Sequence, residues 1–378
     1  MVKKNILTLV MFGMVLFLGV SNVQAEYWTS SSPGNWTDGA NWNTGAEPGA
    51  GVVVEMGVGP WHGTATLDTD GGQLSNLRGS ANGNPTSDYT YLDVATGGAL
   101  DVGYLQVGYW NNTSYQSRFS VSGGAVNVDT IQDGGGGSYR VDVSAGTMNV
   151  VNQHWSRVDS HSRDFNISGG SLNFNGGVEL NNETISVSDT GHLNIGGSRF
   201  YTGAQGSGDF TLNVSGNGSF TRDGGSELSI QSSSNTTINI SDNADLDFSA
   251  NCIIAYSGTG VLNMSGGTLD VGGTLGVGWN GGSSGTVNLS GGTITPNNIN
   301  FSAGSFIDIT GGQIVLSTDW SNWVTDKVNN GYIIGYGGTG TVEWDVSGGL
   351  TTITAVPEPA TLTLLGLGAF AALRKRRK

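Results

Sequence analysis

The feature that most narrows what this chain can fold into is an internal repeat. An apolar–polar–apolar triplet, a Ser or Thr, a Gly-Gly or polar turn and a second such triplet recur along it, as at residues 119–128, 165–174 and 262–271, and again at 287–295 and 307–316. The polar centre of the first triplet falls at Asp93, Ser120, Asp142, Asn166, Ser186, Asn213, Asn239, Asn263, Asn288 and Asp308, a mean spacing near 24, and Asp345 reads as an irregular further member after a longer gap. Alternation with period two means strands, and Gly-Gly between triplets means a sharp corner. One strand–corner–strand unit cannot bury its apolar face alone, whereas a stack of them can.

A third short strand, such as 104–108 or 274–278, completes each unit, and the period suits one turn of a right-handed parallel β-helix, an all-β solenoid. About 10–11 coils stacked at the ~4.8 Å strand spacing give a rod of roughly 50 Å. A β-sandwich is the alternative, although its strands do not place identical corner residues at identical intervals. The register predicts that Phe119, Val121, Val126 and Val128 point inward and that Ser120 and Asn127 point out. The outward column of the second triplet then reads Asp101, Asn127, Asn149, Asn173, Asn194, Thr221, Asp247, Asp270, Thr295 and Val315. Stacked amides hydrogen-bond along such a ladder, whereas stacked carboxylates repel by roughly 1 kcal/mol or less in water. Composition agrees with a folded, turn-rich chain. Glycine is 64 of 378 residues and charged residues are 12%, against a usual ~7% and ~25%, while 37% hydrophobic content is enough to build a core.

The two ends carry different information. Lys3 and Lys4, the apolar run 6–20 and the small residues Val23 and Ala25 have the order of a secretory signal peptide, with cleavage after Ala25. At the other end, Pro357-Glu358-Pro359 precedes an apolar stretch, 360–373, and then Arg374, Lys375, Arg376, Arg377 and Lys378. That stretch is short for a ~30 Å hydrocarbon core, and its basic cluster stays cytoplasmic by the positive-inside rule. The order resembles the PEP-CTERM sorting signal of Gram-negative bacteria, a tail also labelled an ice-binding-protein C-terminal domain. The resemblance implies recognition of Pro357, Glu358 and Pro359 by an exosortase-like processing enzyme, and export through the Sec translocon. It further implies transient passage through the inner membrane by the C-terminal helix and delivery to the cell surface or extracellular matrix. The repeat region is similar to pectate-lyase-like and autotransporter-passenger solenoids.

The chain thus divides into a signal peptide (1–25), a Trp-rich opening with the first coils (26–85), the solenoid (86–316), a C-terminal cap (317–355) and the sorting signal (356–378). Trp28, Trp36 and Trp42 are expected to plug one open end of the core, with a sugar-stacking platform as the alternative. Trp320, Trp323 and the segment 331–344 are expected to close the other end. Removing residues 1–25 and the basic tail 374–378 leaves 8 basic against 30 acidic side chains, with Lys327 the one lysine of the mature chain. Such a balance repels phosphate backbones and excludes nucleic acid as a partner. Cys252 is the single cysteine, so no intramolecular disulfide forms.

Chemistry is sparse. The best cluster is 153–164, where His154 or His161 beside Asp159 could serve as a general base and Arg157 or Arg163 could stabilise an oxyanion. The competing reading is a polar turn between coils. Asp68 and Asp70 echo the start of a calcium loop without the glutamate an EF-hand needs. Asp242, Asp245 and Asp247 could share one ion, so Ca²⁺ is the one cofactor left open. Tyr109, Trp110, Tyr256, Trp279 and Tyr336 follow third strands near a glycine and could stack on sugar rings, or pack at corners instead. The leading expectation is a non-enzymatic surface or matrix protein associated with exopolysaccharide. A polysaccharide lyase or hydrolase is the runner-up, and ice binding or adhesion comes third.

Overall fold

The computed structural model describes residues 25–57, 63–79, 89–108, 117–133, 137–155, 162–197, 200–202, 208–223, 227–229 and 235–358. The N-terminal segment 1–24 read as a signal peptide, Tyr109, Trp110, Arg157, Asp159, His161, Pro359, the apolar stretch and the basic tail lie outside the described residues. The chain is a parallel β-solenoid of about 11 turns with ~24-residue spacing, and its one described α-helix, Ser321–Asn329, lies near the C-terminus.

Three ladders run along it. In the first, the predicted centres stack in strict order from Asp93 to Asp308, each paired in parallel with the next. The ladder also starts earlier than the repeat suggested, with Asn35 paired to Thr66 and Thr66 to Asp93. The second ladder stacks Asp101, Asn127, Asn149, Asn173, Asn194, Thr221, Asp247, Asp270 and Thr295. The third carries an inward column that begins Val54, Leu77, Leu105, Ile131 and continues to Cys252, Leu275 and Ile299. Phe119, Val121, Val126 and Val128 are fully buried as the register requires, and the inward members of all coils form one continuous core. Each such side chain contributes about 1.5–3 kcal/mol on burial.

Outward amides clasp along the axis. Asn239 Nδ2 donates to Asn213 Oδ1 at 2.8 Å, Asn263 to Asn239 at 2.9 Å and Asn288 to Asn263 at 2.8 Å. The second ladder does the same from Asn173 through Asn149 and Asn127 to Asp101. Corners take two forms. Coils with Ser-Gly-Gly turn so tightly that a Cβ on Gly292, whose φ is +82°, would sit 2.6 Å from the Gly267 carbonyl oxygen of the coil below. Others spend one more residue on a turn with Asp189 or Asp242 at positive φ, closed by Gly191 N–H to Ser188 O and Ala244 N–H to Ser241 O.

One expectation fails. Asp345 is not a further rung, because the position after Asp308 is taken by Ile334. Asp345 lies instead in an antiparallel hairpin, Thr341–Ser347 with Leu350–Val356, whose second strand pairs antiparallel with the end of the strand Phe306–Ser317. The apolar pair Ile333-Ile334 hides the true rung, since it lacks the polar centre that marks the others. At this end Trp320 and Trp323 pack edge to face, and Lys327 stands over Trp323 and Tyr332. At the opposite end Trp28, Trp36 and Trp42 are buried in T-shaped contact, with Trp42 Nε1 donating to the Trp36 carbonyl at 2.7 Å.

Candidate functional site

His154, the best acid–base candidate in the sequence, sits inside the solenoid. Its register partners in the third ladder are Ile131 and Val178, so it occupies a position that neighbouring coils give to aliphatics. The reading of 153–164 as a surface turn is therefore corrected at both of its ends: His154 and Arg163 are fully buried. The inward column that holds Arg163 reads Ser117, Tyr139, Arg163, Glu183, Phe210 and Thr236. This brings together a cluster from three successive coils. His154 Nε2 lies 2.9 Å from Glu183 Oε1, with neither side chain exposed, and the Tyr139 hydroxyl donates to the same oxygen at 3.2 Å. Arg163 Nη1 donates to the Asn181 carbonyl at 3.4 Å, and the His154 ring packs against Phe165 and Phe174.

Repeat spacing alone did not bring out Glu183 or Tyr139. Both lie three positions before a triplet centre, so aligning the coils by rung rather than by residue type would have put them in one column with Arg163. Arg222 is a further inward charge, in register with Phe248. Its Nη1 donates to the carbonyls of Ile195 and Gly197 at 2.8 and 2.7 Å. Burial lowers its guanidinium below the ordinary value, with Asp223 acting in the opposite sense. Chemically, the His154–Glu183 pair can exchange a proton internally. A general base, however, must come within hydrogen-bond reach of its substrate's proton, and in this fold the imidazole faces only protein.

The remaining candidates lie outside that cluster. Tyr256 and Trp279 occupy neighbouring coils at one corner, joined by Asn280 N–H to the Tyr256 carbonyl at 3.0 Å, and both are half-buried. Tyr336 is half-buried at the C-terminal end with φ +51°, so these aromatics do not line up as one sugar platform. Asp68 accepts from Asn35 and Asp70 from the Gly72 amide. Asp242 accepts from the Gly216 amide, whereas Asp245 is engaged by Thr268. Among the described residues no three His, Cys, Asp or Glu side chains gather as a metal site. Cys252 is buried in the third ladder, and burial pushes its thiol up to about 12. An open groove of about 550 Å³ runs past Gln73, Asp101, Asn127 and Asp129 on the second ladder.

Pro357 and Glu358 are exposed and follow directly on the strand Leu350–Val356, with no linker between them and the fold. No helix among the described residues is long and apolar enough to cross a membrane. Residues 355–378 match the family profile described as the PEP-CTERM protein-sorting motif. No curated protein and no solved structure matches the chain. The motif implies recognition by an exosortase and sorting to the cell surface as an extracellular protein.

Proposed function

We propose that this protein is a structural rod of the cell surface or extracellular matrix, without catalysis of its own, that scaffolds or contacts extracellular polysaccharide. The observation that carries this reading is the first ladder, unbroken from Asn35 to Ile334, on a chain whose fold leads through a closing hairpin to the exposed Pro357 and Glu358 of the sorting motif. A rod of this kind offers long, regular outward columns, while its strongest acid–base groups, His154 and Arg163, are committed to the interior. In this reading the signal peptide is removed after Ala25, and the two Trp-rich ends close the core against edge-to-edge association. The tail passes the inner membrane transiently before an exosortase-like enzyme acts on Pro357, Glu358 and Pro359. No cofactor is required.

Cell fractionation combined with sequencing of the mature C-terminus tests it. The chain should co-purify with matrix polysaccharide, end near Pro357 and degrade no polysaccharide. Depolymerisation of an acidic polysaccharide by the purified chain, lost in His154→Ala, Arg157→Ala or His161→Ala, would replace the rod with an enzyme.

A further inference from the structure

Along the coils from 184 to 290, one face differs from the rest of the surface. Beside the column Ser186–Asn213–Asn239–Asn263–Asn288 stands a second outward column, Thr184, Thr211, Thr237, Val261 and Thr286, matched to it rung by rung. Every member of both columns is half-buried or exposed, and none is charged, on a chain of net charge −15. The next face around the same coils is the opposite, because it carries Asp245, Asp247 and Asp270. There, burial first, then Asp270, Asp223 and Asp245, hold the Asp247 carboxyl above its ordinary value. A depression of about 300 Å³ opens at one end of these columns between Thr184 and Thr211, lined also by Ser162, Asn182 and the acidic residues Glu183 and Asp209.

We infer that this neutral face is a docking surface for an uncharged polysaccharide lying along the solenoid axis. This deepens the proposed function and rests on it. Within the ladder Asn239 and Asn263 each give one N–H to the rung before and accept one from the rung after, at 2.8–2.9 Å, which fixes the orientation of each amide. A carboxamide has two N–H donors and two carbonyl lone pairs, so one donor and one acceptor per rung are left over for a ligand. The threonine hydroxyls alongside repeat at the ~4.8 Å strand spacing and can both donate and accept. Groups oriented in advance lose little freedom on binding. A neutral polysaccharide supplies hydroxyls of both kinds and meets no repulsion. An anionic one would face the field of Asp245, Asp247 and Asp270 with no cation in either column to offset it. Val261 interrupts the threonines, and beside them Asp209 is followed on the next coils by Asn235, which donates to it, and by Thr259. That variation suits a polymer that adjusts hydroxyl by hydroxyl better than the fixed lattice of ice.

The test is co-sedimentation of the exported, processed chain with an insoluble neutral glucan and, separately, with calcium-gelled alginate as the anionic probe. Thr237→Asp and Thr286→Asp place a charge on two different coils while leaving every ladder amide intact, and Asp247→Asn is the control on the acidic face. Circular dichroism confirms that each variant keeps its β signature, and either threonine variant alone suffices for a decision. The glucan should bind, alginate should not, each threonine substitution should weaken binding about tenfold, and Asp247→Asn should leave it unchanged. Glucan binding untouched by both threonine substitutions overturns the face and leaves the proposed function standing. Binding of alginate alone overturns the assigned ligand chemistry. Failure to bind the glucan, the alginate or the producing cells' own matrix polymer removes both readings, and thermal hysteresis without glucan binding reassigns the face to ice.

Discussion

The middle and the C-terminal coils fill the same interior corner in different ways. Between 139 and 183 the column three places before each triplet centre holds Tyr139, Arg163 and Glu183, and His154 reaches into it from the third ladder. On later coils the same column holds Gly260 and Gly285. There the backbone itself closes in: a Cβ on Gly260 would collide with the Ile254 carbonyl, and one on Gly285 would lie 2.6 Å from the Gly278 nitrogen. The comparison teaches that the corner can be filled by main chain or by charged side chains, and that the second solution needs partners. Buried ions are tolerated when paired, but losing one partner strands the other in a dry site. Stability in a solenoid is close to a sum of coil and neighbour terms, so the two regions should fail separately.

The largest effect expected is at the cluster. Glu183→Leu should cost about 3–5 kcal/mol by leaving His154 and the Tyr139 hydroxyl without the carboxylate oxygen they share, read as a lower urea midpoint. Hydrogen exchange should show amides of 139–195 opening before those of 259–316, and iodoacetamide should still fail to label Cys252 until the later coils open. Uniform exchange along the rod would erase the distinction between the regions. Gly285→Ala attacks the other solution, placing a methyl 2.6 Å from the Gly278 nitrogen, and should cost roughly 2–4 kcal/mol. The order of opening should then reverse, with Cys252 labelled early. A shift of the midpoint too small to measure would mean that the stacked corners are not tight.

Smaller effects sharpen the contrast between outward faces. Asn263→Ala removes one donor and one acceptor from the amide ladder and should cost about 1 kcal/mol, whereas Asn263→Gln should not restore it because the longer side chain misses the rung. Asp247→Asn should stabilise the rod at neutral pH by roughly a few tenths of a kcal/mol, since this carboxylate is exposed and screened. The sign follows from the raised folded-state value. The folded chain holds the Asp247 proton more tightly than the unfolded chain, so this contribution is present at low pH and fades as pH rises through the folded value. Melting curves from pH 3 to 7 should therefore be flatter in the variant, and parallel curves would remove the carboxylate crowding.

Much of this could be read from the residues. The triplet centres from Asp93 to Asp308 and the inward set of Phe119, Val121, Val126 and Val128 follow from period-two alternation, which fixes the face of every side chain once one is placed. The sorting motif was legible because its parts are contiguous. Asp345 misled because a polar centre between apolar neighbours looks the same in a parallel rung and in a hairpin. His154 misled because its polar neighbours Gln153, Ser156 and Arg157 read as a turn, although its position relative to Asp142 puts it on the inner side of a third strand.

By itself, then, the sequence determined the repeat, the strand faces, the corner glycines and the C-terminal sorting motif, all of which depend on neighbours along the chain. Only the tertiary structure decided that Tyr139, His154, Arg163 and Glu183 share one buried site, and that Thr184 through Thr286 stand beside the amide column on an uncharged face. Those relations join residues some 20–30 positions apart. They depend on coil-to-coil register and on how each corner is filled, which local alternation does not specify.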